Sequence, residues 1–178
     1  MIVQTDADST IYKGNLLISL GWSYLRFLFR QKQYLKLIDK LIRLPFFYCL
    51  SYIPRYTYAA FLPFKDCPVG LINEIKNPLR KNWLDKIEEF KPDKIIIISH
   101  QERTVLETFI RNIPELRKYN FEIISNVALI EDGKFNGKSE IKITPYTKYG
   151  YINKDWIFLG DLRDYILYGK GKKNFILI

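Results

Sequence analysis

The chain has 178 residues, 48% of them hydrophobic and 26% charged, with a formal net charge of +9. That length holds one ordinary domain, or a catalytic domain with an inserted module, and the hydrophobic share excludes a disordered chain. Cys49 and Cys67 have no metal-knuckle neighbours and the N-terminal MIVQTDADST carries two acids, a pattern that excludes a disulfide scaffold and a signal-peptide layout and leads us to expect a cytoplasmic protein with reduced thiols.

Ile2 to Thr5 is a short apolar run that stops at Asp6, the pattern of a strand buried on both faces. From Leu16 to Leu44 apolar residues, among them Leu17, Leu20, Tyr24, Leu28, Leu35, Ile38, Leu41 and Ile42, recur at three and four, predicting one amphipathic helix that Pro45 ends. Arg26, Arg30, Lys32, Lys36, Lys40 and Arg43 fall on the opposite side, within an arc of about 160° at 3.6 residues per turn. The ring-rich stretch up to Phe64 is broken by Pro54 and Pro63 and carries Arg55, so it reads as short helices or turns and not as a membrane span.

A helix over Asn82 to Phe90 leads into the strand Ile95 to Ile98, which stops at Ser99. A helix near Glu102 to Arg111 and strands at Phe121–Ser125 and Val127–Glu131 come next, and Asp132-Gly133 is a two-residue hairpin turn. A last run, Trp156 to Leu159, stops at Gly160-Asp161. About eighty residues separate the first two strands, where a βαβ unit needs little more than about 30. The expected architecture is therefore an α/β, three-layer, Rossmann-like parallel sheet over residues 1–12 and 92–178, with residues 13–91 inserted as a mostly helical cap.

Charge is distributed unevenly over these parts. Residues 13–64 carry eight basic side chains and one acidic, net +7, against −2 over 1–12, +1 over 65–91 and +3 over 92–178. Such a bias suits an anionic substrate, a nucleic acid or an anionic membrane surface, and does not choose among them.

Asp6-Ala7-Asp8 sets two carboxylates two residues apart at a strand end, where both can face one crevice. Covalent phosphoryl transfer asks for this: one carboxylate attacks phosphorus while the other moves protons, and two neighbouring acids have their pKa values pushed apart. The competing structural reading of the same residues is a solvated acidic turn.

With strand context, the residues resemble the haloacid-dehalogenase-like (HAD) phosphohydrolases. Asp6-Ala7-Asp8-Ser9-Thr10-Ile11 fits the family's first motif, the strand ending in Ser99 its second, and Gly160-Asp161 with Asp164 its fourth. The phosphoserine-phosphatase-like branch looks nearest, since its members often read D-x-D-S-T, insert a helical cap between the first two motifs and carry a D-G-x-x-x-G hairpin like Asp132 to Gly137.

The resemblance implies a phosphatase with Asp6 as nucleophile and Asp8 as general acid/base. It implies Mg²⁺ held by Asp6, the Asp8 carbonyl, Asp161 and Asp164, and phosphate bound by Ser99, by a lysine and with the help of Thr10. Asp161 and Asp164 are three apart where the family spaces its acids four apart, so Asp164 is read either as a metal ligand or as the residue that holds the lysine. That lysine is Lys148, followed by an abbreviated helix over Tyr149 to Asn153, with Lys142 and Lys138 as alternatives. His100 is read as a local hydrogen-bonding residue. Serine phosphate is not favoured, because Asn15 stands seven residues after Asp8, where phosphoserine phosphatases carry a glutamate. The expected substrate is a small phosphorylated metabolite; a lipid phosphate, a nucleotide or nucleic-acid end, and a non-catalytic nucleic-acid-binding HAD-like protein are the alternatives.

Overall fold

The computed structural model describes residues 1–141, 143–144 and 146–178, the side chain of Pro54 excepted. The apolar runs become the strands of one six-stranded sheet: β1 (Ile2–Thr5), β2 (Lys94–Glu102), β3 (Phe121–Glu131), β4 (Lys134–Glu140), β5 (Ile157–Gly160) and β6 (Phe175–Leu177), in the spatial order β4-β3-β2-β1-β5-β6. All neighbours pair in parallel except β3 with β4. From β1 the chain builds towards β4 and then crosses back to the other side of β1, so the carboxyl ends of β1 and β5 flank the switch point where open α/β sheets bind ligands.

Helices α1 (Leu16–Arg30), α2 (Tyr34–Leu50) and α3 (Lys81–Phe90) lie between β1 and β2, α4 (Arg103–Arg111) follows β2, and a short helical turn, Leu162–Asp164, follows β5. α3 lies against the sheet, burying Trp83 and Ile87 one turn apart and donating from the Trp83 indole N–H to the Thr5 hydroxyl at 3.1 Å. α4 starts where β2 stops, because the Glu102 carboxylate accepts the N–H of Val105 at 2.7 Å and that of Ala128 at 3.2 Å. A carboxylate on an N-terminal turn also suits the helix dipole.

β3 is continuous where two strands were expected. Asn126 sits at its middle and its side chain ties β2 to the segment after β4, donating to the His100 and Ile143 carbonyls at 2.9 and 2.8 Å and accepting from the Ile143 N–H. Below Asn126 the strand pairs with β2, and above it with β4. Asp132 and Gly133 have φ of 49° and 71°, the left-handed pair that a two-residue hairpin requires.

The expected helix over Leu16 to Leu44 is in fact two. Lys32 takes φ of 55° and the Gln33 N–H bonds the Leu28 carbonyl at 2.9 Å while that of Lys32 bonds Phe29 at 3.0 Å, a Schellman close that ends α1. Pro45 lies inside α2 instead of ending it. Leu41, whose carbonyl loses its partner there, is on the exposed side where water can replace the missing N–H.

α1 packs as its period predicts: Leu16, Leu17, Leu20, Tyr24 and Leu28 belong to the same apolar cluster as Val3, Ile95 and Val105, so the insert shares its core with the sheet. α2 does not follow the expectation of apolar residues inside and lysines in water. Leu37, Leu44 and Tyr48 face α1 partly buried, with Leu44 against Gly21, while Leu35, Ile38, Ile42 and Phe46 stand 87%, 55%, 67% and 61% exposed. Lys40 instead folds over the Tyr24 ring at 6.0 Å with only 12% of its side chain exposed. Among the described residues no helix is long and apolar enough to cross a membrane.

Candidate active site

β1 ends with Thr5 level with Ile97 of β2 and Leu159 of β5, so Asp6 leaves the sheet between β2 and β5. Its own N–H is held by the Leu159 carbonyl at 3.0 Å. Ser99 and Asp161 lie just beyond the level of Asp6 on either side; Asp161 follows the end of β5, whereas Ser99, expected at a strand end, lies inside β2, which runs on to Glu102.

Asp6 is buried and its Oδ1 lies 3.0 Å from the Lys148 ammonium. The same ammonium lies 2.6 Å from Asp164 Oδ1, which also accepts the Tyr149 hydroxyl at 3.0 Å. Lys148 is the one buried lysine among the described residues. Its position is set from a distance: it rides on the 3₁₀ turn Thr147–Tyr151, and Gln4 of β1 pins the end of that turn by donating to the Tyr151 carbonyl at 3.3 Å and accepting the Asn153 N–H at 2.8 Å. Of the alternatives, Lys138 is exposed on β4, and Lys142 lies outside the described residues.

Asp164 is fully buried because the chain before it is bare. A Cβ on Gly160 would come within 2.8 Å of the Asp164 Cβ, so only glycine lets this turn close onto β5. Asp161 caps the turn, its Oδ1 accepting the Asp164 N–H at 3.0 Å. Asp164 Oδ2 is buried beside Gly160 with no hydrogen-bond partner.

Asp8 is held by another set of groups. Its Oδ1 accepts the Tyr12 hydroxyl at 2.6 Å, and its Oδ2 accepts the Asn15 amide at 2.6 Å and the Gln101 amide. The loop that presents it turns through Ser9 at φ 59°, where the Arg80 guanidinium donates to the Ser9 carbonyl. Ser99 is fully buried, its hydroxyl accepting the Gln101 N–H at 3.2 Å, and the Thr10 hydroxyl is buried without a partner. His100 stands half-buried with the Tyr52 ring 6.3 Å away and its Nδ1 enclosed and unpartnered.

These surroundings raise both carboxyls, Asp6 more than Asp8, so they do not by themselves hold Asp6 as the ionised member of the pair. Burial raises the Asp6 carboxyl well above the carboxylate range; Lys148 opposes that rise, and Asp164 and Asp8 add to it. Burial also raises Asp8, to about 6, against the hydrogen bonds from Tyr12 and Gln101 that favour its charge. Burial works against the Lys148 charge, but Asp6 and Asp164 outweigh it and hold the pKa above the usual lysine value. Burial, with Lys148 and Arg163 nearby, pulls His100 down to about 3, so it is neutral at physiological pH.

Gln4, Tyr12, Gln101 and Tyr149 were not legible as site residues. Each is an ordinary polar residue within or beside a regular element, and only the tertiary contact gives it a task. The donors available to a metal here are oxygens, and among the described residues no group of three or more His, Cys, Asp and Glu side chains is gathered for one. A set of two carboxylates, main-chain carbonyl and water fits a hard cation that keeps much of its hydration. A cation there would favour the charged Asp6 carboxylate against the burial that raises its pKa.

No family model and no curated protein matches the sequence. The fold, however, is similar to solved structures. An apo phosphoserine phosphatase superposes with a TM-score of 0.64 at 13% identity, over 93% of this chain and 79% of that one. A phospho-aspartyl intermediate analogue of phosphoserine phosphatase gives 0.59 at 16% identity, over 99% and 85%. A HAD family hydrolase from Salmonella enterica serovar Typhi gives 0.62 at 14% identity, over 97% and 61%. The chain has the phosphoserine-phosphatase-like fold of the HAD hydrolases.

Proposed function

We propose that the protein is a phosphatase that cleaves a phosphate monoester through an aspartyl phosphate on Asp6. The observation that carries this reading is the buried Asp6–Lys148–Asp164 chain beside a separately held Asp8. In the first step Asp6 Oδ attacks phosphorus and the bond to the ester oxygen breaks, while Asp8 gives its proton to the departing alkoxide. In the second, Asp8 takes a proton from water as the water oxygen attacks the same phosphorus, releasing inorganic phosphate and restoring the Asp6 carboxylate.

Tyr12, Asn15 and Gln101 hold Asp8 so that it can neither collapse onto Asp6 nor swing into solvent. Lys148 lies against the attacking carboxylate, where it would meet the phosphoryl oxygens, and Ser99 with Thr10 would offer hydroxyls to them. Asp6, Asp161 and the Asp8 carbonyl would hold Mg²⁺, with Asp164 either a further ligand or solely the anchor of Lys148. When bound, that cation offsets negative charge on the phosphoryl oxygens.

Residues 13–91 are read as the cap over a core of 1–12 and 92–178, α3 being the part that lies on the sheet. The substrate class favoured is a small phosphorylated metabolite other than serine phosphate, because Asn15 offers an amide, already engaged by Asp8, where an ammonium would seek a carboxylate. The similar fold of the phospho-aspartyl intermediate analogue of phosphoserine phosphatase supports such an intermediate here. The test is phosphate release from a panel of monoesters with Mg²⁺, using Asp6→Asn as the control; activity surviving in that variant sinks the mechanism.

A further inference from the structure

The α1–α2 hairpin leaves an apolar surface that the site does not use. On α2, Leu35, Ile38, Ile42 and Phe46 fall within an arc of about 80° at 100° per residue, and all are exposed. On α1, Trp22 and Phe29 stand 57% and 62% exposed. Between the two helices lies a groove of about 270 Å³ walled by Trp22, Leu25, Leu41 and Pro45 and floored by Leu44 and Phe64. A large protruding aliphatic face is costly to leave in water, and in soluble proteins it marks a docking surface.

We propose that this face docks the protein on the surface of an anionic phospholipid bilayer. Charge selects that occupant. The segment that carries the face, residues 13–64, has a net charge of +7. Exposed Lys36 and Arg43 border the apolar arc of α2, although Arg43 also pairs with Asp39 at 2.5 Å, and Arg26 and Lys32 stand exposed on and just after α1. A second copy would bring the same positive surface against itself. A nucleic acid could stack bases on Trp22, Phe29 and Phe46 but would leave the aliphatic Leu35, Ile38 and Ile42 between them without partners. An anionic bilayer satisfies both features at once: its headgroups take the cations and its acyl boundary takes the aliphatic face, which is how amphipathic helices lie in an interface.

At the C-terminal end of α2, the Tyr48 hydroxyl lies 2.7 Å from that of Tyr52, whose ring abuts His100 beside Ser99. The hairpin that carries the docking face is thus tied to the side of the sheet where the proposed active site lies.

The test is co-sedimentation of the full chain with phosphatidylcholine vesicles with and without phosphatidylserine, alongside light scattering for oligomeric state and a mobility shift with duplex DNA. The expected result is binding to the anionic vesicles, weakened by salt, and reduced at least about tenfold in Leu35→Ser/Ile42→Ser/Phe46→Ser. Unchanged circular dichroism would show that this variant, whose sites are exposed, still folds. A separate charge variant, Arg26→Glu/Lys32→Glu/Lys36→Glu, should lose the preference for anionic vesicles. The proposal is overturned if the unmodified chain ignores anionic vesicles, if the triple serine variant binds them undiminished, or if the apolar face instead proves to mediate a dimer or DNA binding.

Discussion

Asp164 Oδ1 lies 2.6 Å from Lys148 Nζ, closer than the 3.0 Å between that ammonium and Asp6. Lys148 is thus anchored by one carboxylate while it faces the other, and the anchor is itself fixed by Gly160 and Tyr149. Lys148→Met should leave two buried carboxylates without a cation. We expect loss of phosphatase activity and a fall in stability of about 3 kcal/mol, the scale for breaking a buried ion pair. Asp164→Asn should keep the nucleophile yet raise KM for the phosphate ester, because Lys148 loses its fixed position. Steady-state kinetics with urea unfolding separate the two effects, and unchanged KM in Asp164→Asn would contradict the anchoring role.

Asp6→Asn should abolish turnover, since an amide is a poor nucleophile. Asp8→Asn leaves the attacking carboxylate in place and removes the proton donor, with an expected loss of about 10²–10⁴-fold. That loss should shrink for a nitrophenyl ester, whose leaving group needs little protonation. Mass spectrometry of the Asp8 variant should show trapped phosphoenzyme, heavier by one phosphoryl group, because the same residue activates water in the second step.

Activity should require a divalent cation. Excess chelator should stop phosphate release and Mg²⁺ should restore it, while Asp161→Asn should raise the Mg²⁺ concentration needed for half-maximal rate. The reason is charge: the crevice sets Asp6 beside Asp8 and Asp164 with one lysine to offset them. Full turnover in metal-stripped protein would remove the cation from the mechanism.

His100 supplies a test on stability. Its folded-state pKa, pulled down to about 3 by burial, lies below the ordinary 6.5. The contribution to stability is therefore present above pH 6.5 and lost as pH falls towards 3, because the unfolded chain takes up a proton that the native chain refuses. Between about pH 7 and about pH 5 this linkage amounts to at most about 2 kcal/mol. His100→Phe should flatten that part of the stability profile in urea unfolding. An equally steep acid slope in the variant would show that His100 is not the group responsible.

The features legible in the sequence alone were local. Apolar runs ending at Asp6, Ser99 and Asp161, and the Asp132-Gly133 turn, depend on side-chain period and on backbone conformations that neighbouring residues impose, so they could be read before any contact was known. Packing between distant segments settled the rest. A helix with apolar residues over more than half its circumference can turn either side inward, and α2 turned Leu37, Leu44 and Tyr48 in, with Leu44 packed over Gly21 of α1, which left Leu35, Ile42 and Phe46 outside. Which lysine serves the crevice depended on Gln4 reaching from β1 to the turn that carries Lys148, about 150 residues along the chain. The partners of Asp8 were likewise gathered from a loop, a helix cap and the end of β2. Long-range contacts of this kind leave no periodic trace in the sequence, since each needs only one polar side chain of suitable reach.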